Sequence, residues 1–151
     1  MSFFLKESRI IPELEKTSKD GVLAQLAGVL AADLSGVRAR RVLEVLWERE
    51  NIGSTGVGQG IAIPHGRLAG VATPVAALGR SQAGVDFMAM DGLPVHLVVA
   101  LLLPPEASES HLQLLAAISR MLRHPDSRRR LMLAPDRAAL CQVALTAAEE
   151  L

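Results

Sequence analysis

A chain of 151 residues, half of them hydrophobic and 21% charged, has the material for one buried core and lacks the polar bias of a disordered polypeptide. Sixteen basic residues cancel sixteen acidic ones, which argues against a nucleic-acid partner held through phosphate contacts. The lone cysteine, Cys141, excludes an internal disulfide, and the N-terminal MSFFLKES has no apolar stretch of signal-peptide length, so a cytoplasmic location is expected.

The expected elements alternate between helix and strand. TSKDGVLAQLAGVLAADLSG carries Val22, Leu23, Leu26, Val29, Leu30 and Leu34 at helical spacing, with Thr17 or Ser18 as N-cap and Gly36 as a stop. In SGVRARRVLEVLWERE, Ser35 is the cap candidate of a second helix, which sets Val42, Leu43, Leu46 and Trp47 against Arg38, Arg41, Glu44 and Glu48 and ends near Gly53. IAIP and PVAALGR read as strands, and PVHLVVALLLPP has the continuous apolar character of a strand covered on both faces. Its apolar run from Leu97 stops at Pro104 after seven residues, far short of the roughly 20 that a membrane helix needs, so no membrane insertion is expected. ASESHLQLLAAISRMLRHP gives a long helix with cap candidates Ser108 and Ser110, an apolar face of Leu112, Leu115, Ile118, Met121 and Leu122, and a capping His124 before Pro125. A short helix over DSRRRLMLAP and a longer one opened by Pro135 or Asp136 complete the chain. No repeat or linker interrupts this order, so a single domain over 1–151 is expected, a mixed β-sheet flanked by helices on both sides.

Between the second helix and IAIP lies a glycine-rich stretch, Gly53, Gly56, Gly58 and Gly60, followed by His65. The GVGQG spacing follows a helix and precedes IAIP, the wrong context for a dinucleotide fingerprint, and the absence of any lysine after Lys19 excludes a Walker A loop. Glycines there allow tight turns or close approach of a partner. His65 falls where a strand is expected to end, a place where reactive groups sit in α/β proteins, although on spacing alone a lone histidine is more often structural or merely exposed than chemical. His65, His96, His111 and His124 are too scattered for a zinc signature, and no metal is expected. His111 would stand in the first turn of its helix, where free N–H groups favour an anion, and Arg49 can grip a phosphate bidentately. Together these three could form a phosphate site around a nucleophilic imidazole; a surface arginine and a capping histidine would fit the spacing as well. The basic run Arg128, Arg129 and Arg130 reads as a solvated face, Met88 and Met90 as filling beside the core, Cys141 as a buried hydrophobe, and Asp86 and Asp91 as turn or ring-orienting residues.

WERENIGSTGVGQGIAIPHGRL, together with VDFMAMDGLPVHLVVALLLP and HLQLLAAIS, resembles the enzyme IIA domains of the bacterial phosphotransferase system, of the fructose and mannitol type that includes the nitrogen-related regulatory IIA proteins. The resemblance spans nearly the whole chain. It implies the mannitol-type IIA fold and a phosphoryl carrier rather than a turnover enzyme on a small molecule, with His65 accepting phosphate from a histidine-containing phosphocarrier and His111 and Arg49 lining the site. No cofactor is implied. Backbone groups of Gly56, Gly58, Gly60 and Gly66, with Ser54 and Thr55, are expected to cradle the phosphate or meet the partner, Ser54 and Thr55 more as turn-shaping residues than as donors. His96 stands where many members carry aspartate, and a half-buried structural role is expected for it. A free-standing domain of this size suggests a phosphorylation-dependent regulator that binds other proteins. Two alternatives are a sugar-specific component passing phosphate to a IIB domain and a non-phosphorylated binding module.

Overall fold

The computed structural model describes residues 4–106 and 108–150. Its centre is the strand β6 (Val95–Leu103), whose residues are almost all buried because both of its faces are covered. Leu97, Val99, Leu101 and Leu103 pack in one hydrophobic cluster and Val98, Ala100 and Leu102 in another, the alternation that a pleated strand imposes. The first cluster takes in α3 (Glu109–Arg123), α4 (Pro125–Leu133) and α5 (Arg137–Glu150); the second takes in α1 (Lys19–Ala32) and α2 (Ala39–Glu50). Helices on both sides of one sheet are therefore what the apolar run in β6 encodes.

The sheet is mixed. β5 (Val75–Val85) runs antiparallel to β6, and β1 (Ile10–Ile11) adds parallel to β5. On the other edge of β6, β3 (Ile61–Ala62) and β4 (His65–Arg67) lie parallel to it end to end, pairing Ile61 with Leu97 and His65 with Leu101. β2 (Gly56–Gly58) closes a hairpin on β3. IAIP thus belongs to a strand split in two, with His65 opening β4 rather than following a strand end. Pro64 has no N–H to give the ladder, though its carbonyl still accepts from Leu101 N at 2.9 Å.

Several caps follow their residue types. Ser18 Oγ accepts from Gly21 N, Ser108 Oγ from His111 N, and Asp136 Oδ1 from Ala139 N. Ser35 is not the cap of α2: that helix opens at Ala39 after Arg38, which makes no side-chain cap bond, and Gly36 at φ 72° turns the chain before it. His124 stands between two helices and its Nδ1 accepts from Ser127 N at 3.4 Å, so it caps the start of α4 and not only the end of α3. Asp86 and Asp91 bond the N–H groups of Met88 and Leu93 two residues on, closing turns. Met88 and Met90 are 74% and 82% exposed, against the expectation that they fill gaps beside the core: the turns that place Phe87 and Ala89 inward aim both methionines at solvent.

Candidate phosphoryl-acceptor site

His65 and Arg67 are two apart on β4 and so share one face; their register partners Leu101 and Leu103 belong to the cluster under α3. Gly66 points the other way, and a Cβ on it would meet Val45 Cγ1 at 2.3 Å. Its glycine therefore serves the packing of α2 on β4 and faces away from the imidazole.

Beside His65 lies a cleft of about 260 Å³ lined by Arg49, Ser54, Thr55, Val57, Ile63, Leu115, Ala116 and Ser119. Arg49 comes from the last turn of α2 and donates from Nη1 to Gly53 O at 2.9 Å, which holds its guanidinium over the loop. Leu115 lies one turn beyond His111 on the same face of α3. His111 reaches the group through Arg67, whose Nη1 lies 3.3 Å from His111 Nδ1 and also donates to Pro104 O and Glu106 O. Arg67 was not anticipated from the sequence, although its position two residues along a strand from His65 was a signal for it.

The partners fix the tautomers. His65 Nδ1 is 2.7 Å from Ile63 O, and a carbonyl only accepts, so Nδ1 carries the proton and Nε2 keeps its lone pair. An arginine only donates, so His111 Nδ1 accepts and the proton of its neutral ring sits on Nε2. One ring therefore offers a nucleophilic nitrogen and the other an N–H donor.

Burial pushes the His65 pKa below the ordinary imidazole value, and the charges of Arg49 and Arg67 add to this; the Ile63 carbonyl and Glu50 act in the opposite direction. Because the folded pKa lies under the unfolded value of about 6.5, the stability that comes from burying the neutral ring is complete above roughly pH 6.5 and is lost as the pH falls through the folded value. An NMR titration of the His65 ring should accordingly give a midpoint below 6.5, and a midpoint at or above it contradicts this environment.

The remaining glycines have neighbours of their own. A Cβ on Gly56 would lie 2.9 Å from Ala89 Cβ and one on Gly58 3.2 Å from Asp91 Oδ2, so both face the loop of residues 86–92 while Val57 between them faces the cleft. Gly58 and Gly60 take φ of 93° and 77° around Gln59 at 60°, and this left-handed bend is what requires them. Gly60 O accepts from His96 N, roughly 15 Å along β6 from the register position of His65. Ser54 Oγ donates to Phe87 O and accepts from Gly56 N, which shapes the turn, and the Thr55 hydroxyl donates to Glu50. Half-buried His96 bonds Ser81 O through Nδ1 and lines a separate cleft of about 530 Å³ with Gln59, Gln82 and Arg128. In the basic run, Arg129 and Arg130 pair with Asp126, and Arg128 bonds Gln59. Among the described residues no helix is long and apolar enough to cross a membrane, and no group of three His, Cys, Asp or Glu side chains is arranged to hold a metal ion.

The chain belongs to the family described as "Phosphoenolpyruvate-dependent sugar phosphotransferase system, EIIA 2", whose profile matches residues 3–145. It is 45% identical over 139 residues to a nitrogen regulatory protein of Pseudomonas aeruginosa, covering 92% of this chain and 90% of that one. It is 41% identical to a fructose-specific EIIA component of Haloferax volcanii, over 83% of this chain and 82% of the relative. The crystal structure of nitrogen regulatory protein IIA-Ntr from Neisseria meningitidis superposes with a TM-score of 0.88 at 34% identity, covering 95% of this chain and 97% of that one.

Proposed function

We propose that the chain accepts a phosphoryl group on His65 Nε2 from the phosphohistidine of a carrier protein, and that its two forms act as a regulator of nitrogen-related type. The observation that carries this reading is the 2.7 Å contact of His65 Nδ1 with Ile63 O, which leaves the Nε2 lone pair uncommitted on a ring that shares its cleft with Arg49.

In the transfer, Nε2 forms a bond to phosphorus as the N–P bond of the donor breaks. The electron pair of that bond returns to the donor ring, which leaves as neutral imidazole because its other nitrogen is protonated. His65 becomes a phosphorylated imidazolium, and its Nδ1–H, still donating to Ile63 O, settles the positive charge. No separate base is needed. Transfer then depends on position and charge: Arg49, Arg67 and the His111 Nε2–H supply cationic and donor groups for the moving oxygens. The regulatory half of the proposal is supported by the similarity to nitrogen regulatory proteins at 45% identity over nearly the whole chain. By analogy with phosphorylated hydroxyl side chains, a phosphoryl group brings about −1.5 to −2 charges to this cleft, and a partner touching its lining would distinguish the two forms.

Rapid-quench phosphorylation by enzyme I, phosphoenolpyruvate and a histidine phosphocarrier tests the chemistry. Arg49→Ala and Arg67→Ala should each slow incorporation roughly 10- to 100-fold with circular dichroism unchanged, somewhat less than the loss of a preorganised oxyanion donor; wild-type rates would remove both from the site. A sugar-specific role is the second reading, supported by the similarity to the fructose-specific component. Transfer onward to a IIB domain with release of a sugar phosphate would favour it over regulation.

A further inference from the structure

The His65 ring is held by the Ile63 carbonyl, and the residue that bears this carbonyl is tied through its own N–H to a chain of hydrogen bonds ending in a buried ion pair. Ile63 N donates to Thr55 O at 3.1 Å. Thr55 in turn gives both of its donors to a single carboxylate: its N–H reaches Glu50 Oε1 at 3.1 Å and its hydroxyl bonds Oε2. Glu50 is 4% exposed and pairs at 2.8 Å with Lys19 Nζ, itself on a residue 8% exposed. Lys19 Nζ also lies 4.9 Å from the Phe87 ring centroid and 5.5 Å from that of Trp47. Phe87 closes the circuit, since its carbonyl accepts from Ser54 Oγ. The loop 53–55 and the Ile63 peptide are thus bound to α1 and α2 by groups that do not enter the cleft as phosphate ligands.

A buried ion pair brings little net stability over an apolar pair of similar volume, so its presence here calls for another use. A carboxylate with two oxygens can order two donors of one residue at once, which an apolar side chain cannot do. We propose that Glu50, anchored by Lys19, is a positioning residue for phosphoryl acceptance: it orders Thr55, which holds the Ile63 N–H and so places the residue whose carbonyl sets the tautomer and orientation of His65. Neither Glu50 nor Lys19 touches the phosphoryl group. This inference rests on His65 being the acceptor, as proposed above, but its first readout does not require phosphate.

That readout is the ring itself. Long-range ¹H–¹⁵N spectra report which imidazole nitrogen bears the proton, and the wild-type protein should show His65 protonated on Nδ1 alone. Thr55→Val keeps the side-chain volume and removes only the hydroxyl donor; Lys19→Met with Glu50→Gln removes the ion pair without leaving a buried charge behind. In both folded variants the His65 ring should give averaged nitrogen shifts of mixed tautomers. Phosphoryl acceptance should drop about threefold in Thr55→Val and at least tenfold in the double variant, while Thr55→Ser, which keeps the hydroxyl, recovers most of the rate. A folded Thr55→Val or double variant with a pure Nδ1–H tautomer and wild-type acceptance overturns the positioning role. If the wild type takes no phosphate while the variants still lose the single tautomer, the acceptor reading fails, and with it the role in acceptance, while the ordering of the His65 ring by Glu50 stands.

Discussion

His65→Ala is expected to abolish phosphate incorporation completely while leaving the fold in place, and His111→Ala to slow it without abolishing it. The difference lies in what each ring can do. His65 presents an Nε2 lone pair because its other nitrogen is committed to Ile63 O; no other side chain described around the cleft offers a neutral nitrogen nucleophile. His111 spends its Nδ1 lone pair on Arg67 and is left with an N–H, which can stabilise oxygens but cannot attack phosphorus. The fold tolerates alanine at 65 because β4 is held by backbone pairing to Leu101–Leu103 and by the α2 contact at Gly66, neither of which uses the imidazole. Intact-mass analysis at neutral or alkaline pH separates the outcomes: a phosphate adduct on His65→Ala, or its complete loss on His111→Ala alone, would exchange the two roles.

The largest effect on stability is expected at the buried pair. Lys19→Ala leaves the Glu50 carboxylate in an apolar site without its cation, a situation that costs about 3–5 kcal/mol in buried pairs that lose one partner. Here the loss should fall in that range, because Glu50 is 4% exposed and only the two Thr55 donors remain to it. Chemical denaturation of Lys19→Ala beside the Lys19→Met, Glu50→Gln double variant measures it. The double variant should recover most of the stability; a single variant within about 1 kcal/mol of wild type, the scale of an exposed pair, would show that the pair is solvated.

What was legible in the sequence was what local pattern carries. β6 and the helices α1 and α3 appeared with their caps because an unbroken apolar run and helical spacing are short-range signals. β1 and β2 were missed: two or three residues have no periodicity, and β1 exists only because β5, nearly 70 residues on, offers an edge. The glycine stretch allows either tight turns or the close approach of a partner, and the sequence does not separate the two: Gly58 and Gly60 form a left-handed bend, and Gly56 makes room for Ala89. Glycine reports that a side chain is not tolerated, and the sequence does not say on which face. The pairing of Lys19 with Glu50 is not legible for a related reason, since a lysine in the first turn of a helix reads as solvated until a carboxylate from another helix meets it. Arg67 was within reach, because period two on a strand pairs it with His65.

The measurement that bears most directly on the account is long-range ¹H–¹⁵N NMR of the protein phosphorylated by a histidine phosphocarrier. Phosphorus bonded to Nε2 of His65, with the Nδ1 proton retained, is the predicted result. Phosphorus on Nδ1 of His65, or on His111, would contradict the site as built from the Ile63 contact.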